Sequence, residues 1–103
     1  MAVLPYQIVT ASGRRLEFQF PLHELTESEA NVADVVTKTL AAIDEAIAAG
    51  SGYSDGDIIQ ALTLALAARV RMVDAIEGPV HQLARELTDQ ALAAPSTEAG
   101  SAH

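Results

Sequence analysis

The sequence has 103 residues, a formal net charge of −8 and no cysteine. This length corresponds to one small domain, and the lack of cysteine excludes disulfides, zinc–thiolate sites, iron–sulfur clusters and thiol nucleophiles. The acidic excess disfavours general nucleic-acid binding, because the chain and the phosphate backbone repel each other.

Residues 3–21 have the pattern of a β-hairpin. Alternate residues from Leu16 to Phe20 are apolar, which is the period of two of a half-buried strand, and residues 6–10 supply the partner strand. The connection contains Gly13, which is free to adopt a positive φ. Two strands alone are marginally stable in water, so we expect helices or a second copy to cover them.

The first helix is predicted to follow Thr26, which is spaced to form a capping box with Glu29. Asp34 and Lys38 are spaced as an ion pair on its polar face, and Gly50 ends the helix. The apolar face repeats at intervals of three and four residues. It consists of Val32, Val36, Leu40, Ile43 and Ile47.

A second helix is predicted from its N-cap Ser54 to about Glu77, with Asp55 and Asp57 in the first turn, where the helix dipole favours acids. Its polar face is narrow, which is typical of a buried helix, and so small a domain offers little to cover it. We therefore expect a homodimer or higher oligomer through this helix. The predicted interface consists of Ile59, Leu62, Ala65, Leu66, Arg69 and Val73.

Arg69 interrupts the apolar seam of the second helix and has two interpretations. An unpaired buried charge is very costly, so a buried Arg69 needs a carboxylate from Asp44, Glu45 or another subunit. A pair across chains would set the register of a helix–helix interface. The alternative, which we favour, is that the stem covers apolar surface while the guanidinium reaches water.

Gly78 and Pro79 interrupt the helical pattern, and a third helix is predicted from Pro79 to Ala94. Since the apolar spacing continues across the break, residues 54–94 form either one kinked helix or two helices. Pro95 ends the helical region. We expect a single domain over residues 1–95, of helix-rich α+β class with an N-terminal hairpin and two to three helices, and a disordered tail over residues 96–103.

The residues with reactive side chains form no recognisable catalytic or cofactor motif. The histidines are scattered, and His23 is expected in a solvent-exposed loop. The loop from Tyr53 to Asp57 lacks a full calcium-binding pattern, and capping explains its serine and aspartates. Gly56 is not explained by capping; it would permit close approach by a partner. We therefore predict a non-enzymatic interaction protein without cofactor or metal.

Two alternative functional classes remain open. A small-ligand site or an enzyme site between subunits would require Tyr53, Asp55, Asp57 and Arg69 to converge. An acidic secretion chaperone would present a large uncovered apolar patch on the assembled oligomer.

The location of the protein is predicted from its N-terminus and its most apolar stretch. The N-terminal segment lacks the basic and long apolar regions of a secretory signal. Residues 58–76 are interrupted by Arg69, Arg71 and Asp74, so their apolar part falls short of the roughly 20 residues that span a bilayer. We expect a soluble, cytoplasmic protein without membrane or nucleic-acid partners.

Two stretches resemble the ZapA family of cell-division accessory proteins. They are GRRLEFQFP at residues 13–21 and SDGDIIQAL at residues 54–62, and the resemblance extends over about residues 6–75. In that family a strand ending in proline precedes the first helix, and a polar cap opens a second helix rich in Ala and Leu. The resemblance implies dimers and tetramers assembled through the second helix, which bundle the tubulin-like division protein FtsZ.

Overall fold

The computed structural model describes residues 2–10, 12–50, 52–73 and 77–99. These described residues form three strands and three helices. The hairpin of two strands precedes the helices and the third strand follows them, which confirms the predicted α+β, helix-rich class. The elements are β1 (Val3–Val9), β2 (Arg15–Pro21), α1 (Glu29–Ala48), α2 (Asp55–Arg71), α3 (Glu77–Ala93) and β3 (Ser96–Ala99).

The chain divides into two compact units. The first, Met1–Ala33 with Glu86–His103, holds the sheet, the start of α1 and the end of α3. The second, Asp34–Arg85, holds the rest of α1, all of α2 and the start of α3. This division does not test the predicted single domain over residues 1–95, which stays a prediction.

The sheet of the first unit is antiparallel, with strand order β1-β2-β3. β1 pairs with β2 in a register that places Tyr6 opposite Phe18, and β3 pairs with the other edge of β2, with Thr97 opposite Glu17. The predicted hairpin is thereby confirmed, and β2 becomes the central strand.

One face of the hairpin is less exposed than the other, because successive residues of each strand project to opposite faces. Along β2 the residues of the more exposed face are polar. Leu4 on β1 and Leu22 after β2 are the buried apolar side chains among the described residues. The rings of Phe18 and Phe20 stack with their centroids 4.8 Å apart. The buried and half-buried strand residues of this face are Leu4, Tyr6, Ile8, Leu16, Phe18 and Phe20.

The hairpin turn requires glycine for its backbone conformation. Gly13 has a φ of 87°, and a Cβ added to it would have nothing within 4 Å, so the positive φ rather than packing selects glycine. Its N–H donates to the Thr10 carbonyl at 2.9 Å, and the Arg14 N–H donates to Thr10 Oγ1 at 3.1 Å. The predicted role of Gly13 is confirmed.

The predicted disordered tail over residues 96–103 is wrong for Ser96–Ala99, which form β3. The ladder with β2 begins where the Gln19 N–H donates to the Pro95 carbonyl at 3.0 Å. The composition of Ser96–Ala99 gives little indication of a strand. The segment forms one because the open edge of β2 supplies hydrogen-bond partners, and such pairing outweighs intrinsic β-propensity. Residues 100–103 lie outside the described residues.

The predicted capping box of the first helix is also wrong. α1 begins at Glu29, and the Asn31 N–H donates to Ser28 Oγ at 3.1 Å, so Ser28 is the N-capping residue. Thr26 belongs to the preceding turn instead, in which its N–H donates to the His23 carbonyl at 3.0 Å. Two hydroxyl residues stand two positions apart, and the turn at His23 determines which of them caps the helix.

The ion pair predicted on α1 is confirmed. Lys38 Nζ lies 2.8 Å from the Asp34 carboxylate. Both side chains are more than half exposed, with exposed fractions of 75% and 57%, so solvent screens the pair and its contribution to stability is small.

The start of α2 is as predicted, whereas its end is not. Ser54 Oγ accepts the Asp57 N–H at 3.1 Å, which confirms the predicted N-cap. The helix ends at Arg71 with Met72 as its C-cap, several residues before the predicted end at Glu77. α2 and α3 are therefore two helices; residues 74–76 lie outside the described residues. Within the described ranges, no helix has the length and apolar character needed to cross a membrane.

Candidate functional site

The surface of α2 carries several large apolar side chains that the fold leaves exposed. The helix contains no buried residue, although its sequence pattern is that of a buried helix. All six residues of the predicted interface are exposed within the single chain. They are Ile59 (65% exposed), Leu62 (38%), Ala65, Leu66 (44%), Arg69 and Val73 (42%).

The helical repeat places the larger of these side chains on one side of α2. At about 100° per residue, Ile59, Leu62, Leu66 and Arg69 fall within an arc of about 80°. Leu64, which is 61% exposed, points in nearly the opposite direction. These four residues of the predicted interface thus form a stripe on α2, whereas Val73 lies beyond the C-cap Met72 and is not part of the helix as predicted.

A groove between α1 and α2 adjoins this stripe within the second unit. It has a volume of about 500 Å³ and lies against the C-terminal half of α1 and the N-terminal half of α2. Leu62 and Ala65 belong both to the groove and to the predicted interface, so the apolar surface continues from one into the other. The apolar lining includes Ile43, Ile47, Ile58, Ala61, Leu62 and Ala65.

The loop from Tyr53 to Asp57 has the geometry of a helix cap. Ser54 has φ −82° and ψ 158°, an extended conformation that orients its hydroxyl toward the first turn of α2. A Cβ added at Gly56 would lie 3.9 Å from Ser54 Oγ, which is an ordinary van der Waals contact. The single chain therefore has room for a side chain at position 56.

One chain does not bring together the residues of the alternative ligand site. Asp57 and Arg69 are separated by twelve residues of α2, which is about 18 Å at a rise of 1.5 Å per residue. Tyr53 and Asp57 line the groove between α1 and α2, whereas Arg69 does not. A site built between subunits from these residues stays a prediction.

His23 is half-buried, not solvent-exposed as predicted. Its Nδ1 atom accepts the Leu25 N–H at 3.0 Å, so the turn before α1 holds the imidazole. With Glu24, Glu29 and Glu86 it lines a depression of about 440 Å³ in the first unit. Among the residues with described positions, no three acidic or histidine side chains form a cluster suited to a metal ion.

Comparison of the chain with protein-family models, with curated proteins and with solved structures finds no match. The resemblance to the ZapA family is neither supported nor opposed by these comparisons and stays a prediction. The function of the chain must therefore be inferred from the exposed surface of α2.

Proposed function

We propose that this protein is a non-enzymatic interaction module that assembles into a homo-oligomer through α2. The observation that carries the proposal is a helix of 17 residues, none of them buried, with an apolar stripe continuous with an apolar groove. Large contiguous apolar surfaces on soluble proteins mark sites of association. The predicted interface supplies such a surface on one side of the helix.

The exposed apolar side chains contribute enough energy to make association favourable. Full burial of a Leu or Ile side chain stabilises by about 1.5–3 kcal/mol, so burial of the exposed part of Ile59, Leu62 or Leu66 contributes about 1 kcal/mol each. In a symmetric dimer both copies bury these three side chains, so the six side chains together contribute about 6 kcal/mol before the cost of association is subtracted. A charge at one of these positions therefore has a large effect.

A single substitution with a matched control tests the proposal. Leu66→Glu places a charge in the predicted interface, and Leu64→Glu places the same charge on the other side of the same helix. Light scattering on a sizing column, from low micromolar concentration upward, gives the molar mass of each variant. We expect a dimer or larger oligomer for the unmodified chain and for Leu64→Glu, and a lower mass for Leu66→Glu.

Two results would count against the proposal. A monomer at every concentration for the unmodified chain would remove the homo-oligomer altogether. An unchanged oligomer with folded Leu66→Glu, as judged by circular dichroism, would show that association uses another surface.

A narrower version of this proposal names a partner. The order of elements, a hairpin ending in Pro21 followed by α1 and a Ser54-capped α2, is compatible with the ZapA-like alternative, in which the oligomer binds FtsZ. Cosedimentation with FtsZ filaments tests it: enrichment in the pellet with the unmodified chain but not with Leu66→Glu is the expected result. No enrichment with the unmodified chain would reject this version and leave the homo-oligomer proposal intact.

A further inference from the structure

We propose that the partner on α2 is a second copy of this chain whose α2 lies antiparallel, with Arg69 of each copy paired with the partner's Asp55. This inference rests on the proposed function of α2 as the homo-oligomeric interface and specifies its geometry. Three observations support the inference: the charges at the two ends of α2, the spacing of its apolar residues, and the position of Arg69.

The two ends of α2 carry opposite charges. Asp55 and Asp57 lie in the first turn, and Arg69 and Arg71 lie in the last turn. An antiparallel pair of α2 helices places the acidic turn of one copy beside the basic turn of the other, whereas a parallel pair places like charges together. The helix dipoles favour the same antiparallel orientation.

The apolar spacing fixes the register of such a pair. Ile59 and Leu66 are seven residues apart, and so are Leu62 and Arg69, which makes them the two alternating core positions of a coiled-coil seam. In an antiparallel pair the two kinds of position face each other. Leu62 then faces the partner's Leu66, and Ile59 faces the partner's Arg69.

This register gives the guanidinium of Arg69 a partner. Asp55 precedes Ile59 by four residues and so lies one turn away, in the same row along the helix. The stem of Arg69 covers the partner's Ile59, and its head extends to the partner's Asp55. Arg69 thus combines the two interpretations given above: its stem covers apolar surface, and its guanidinium pairs with a carboxylate of the other chain. The arrangement occurs twice in each dimer.

A second copy fits this surface better than an unrelated partner. The seam is self-complementary, because the same helix supplies both the apolar layers and both signs of charge, although the net charge of −8 repels a second copy elsewhere. The outer edge of β1 is a poorer site for self-association. Pro5 lies at an outward-facing position of that edge and lacks an N–H donor there.

Charge reversal tests the pairing. Arg69→Glu and Asp55→Arg each put like charges at both ends of the antiparallel dimer, and the double variant restores unlike charges. Sedimentation equilibrium gives the dimer Kd. We expect each single variant to raise the Kd about tenfold and the double variant to return it to within about threefold. Arg71→Glu is the control: it reverses a charge in the same turn but away from the stripe, so it should raise the Kd by clearly less than Arg69→Glu does.

The outcomes separate this inference from the proposed function. If Leu66→Glu dissociates the oligomer while the charge reversals leave the Kd unchanged, α2 is the interface but the antiparallel pairing is wrong. If each single reversal raises the Kd and the double variant does not lower it again, the two residues do not pair with each other, and the proposed Arg69–Asp55 pairing is wrong in this case too. If the unmodified chain is monomeric, the proposed function itself fails.

Introduced thiols give an independent measure of orientation, since the chain has no cysteine of its own. Leu62→Cys and Leu66→Cys proteins are oxidised separately and as a mixture. The antiparallel register predicts that the mixture forms far more disulfide-linked dimer than either protein alone. Equal crosslinking of the separate proteins would establish a parallel pair and overturn the proposal.

Discussion

Proline substitutions in β3 test how this strand joins the sheet. The bond from the Gln19 N–H to the Pro95 carbonyl sets the alternation of the antiparallel ladder, in which every second residue exchanges hydrogen bonds with its opposite. Thr97, opposite Glu17, is therefore bonded to β2, whereas the N–H at position 98 points away from β2. Thr97→Pro removes a ladder donor, and Glu98→Pro removes an outward-facing one.

The magnitude follows from the lost bond and from the proline ring. A backbone hydrogen bond contributes about 0.5–1.5 kcal/mol, and a ring at position 97 also pushes against the facing backbone of Glu17. We expect Thr97→Pro to lower the free energy of unfolding by about 2 kcal/mol. Glu98→Pro should lower it by less than about 0.5 kcal/mol. In a domain of this size, 2 kcal/mol corresponds to a Tm lower by about 10 °C.

Urea denaturation followed by circular dichroism gives both free energies, with thermal scans as a second measure. The two variants share the same ring and the same strand, and the residue before each proline is already extended, as proline requires. The difference between them therefore reports the direction of the N–H. Equal destabilisation, or the larger loss at position 98, would refute the assigned ladder.

Three further predictions concern individual residues. Ser28→Ala should cost about 1 kcal/mol of stability in urea denaturation, and Thr26→Ala less than half of that; the reverse order would restore Thr26 as the cap. Gly56→Ala should raise the Tm, because alanine favours a helix over glycine by about 0.5–1 kcal/mol. A lower Tm would instead show that another backbone approaches position 56. Leu4→Ala should cost about 2–5 kcal/mol and Val9→Ala, on the exposed face of the same strand, less than about 0.5 kcal/mol; similar losses would contradict the assigned buried face.

Features determined by neighbouring residues were predictable from the sequence. The hairpin depends on alternating apolar residues and on Gly13, and the start of α2 depends on the hydroxyl of Ser54 three positions before the N–H that it accepts. Each of these signals operates within a few residues of chain. Periodicity and capping rules describe such local interactions well.

The errors arose where local signals competed or where the partner was distant in sequence. Thr26 and Ser28 are both acceptable caps, and the choice depends on the turn in which the Thr26 N–H is already bonded to His23. β3 has no strong strand pattern in its sequence, and it is stabilised by pairing with β2, which lies far away in the sequence. Neither outcome can be read from a window of sequence around the residue.

The candidate site shows the same distinction between pattern and environment. Spacing alone predicted a stripe from Ile59 to Val73, of which the residues from Ile59 to Arg69 lie on α2. It could not establish whether the rest of the chain covers the stripe. The structure leaves these side chains exposed, and it reveals the adjoining groove between α1 and α2, which the sequence pattern did not predict.

The position of β3 also predicts the order in which the sheet forms. β1 and β2 are joined by a short turn, whereas Phe18 and its partner Ser96 are 78 positions apart in the sequence. Closing the longer loop costs about 2 kcal/mol more in chain entropy than closing the turn, so we expect the hairpin to form first and β3 to add later. The amide of Leu22, bonded to Ala2, and that of Gln19, bonded to Pro95, should thus gain protection from hydrogen exchange at different times. The final strand completes the sheet only after the ends of this 78-position segment have met.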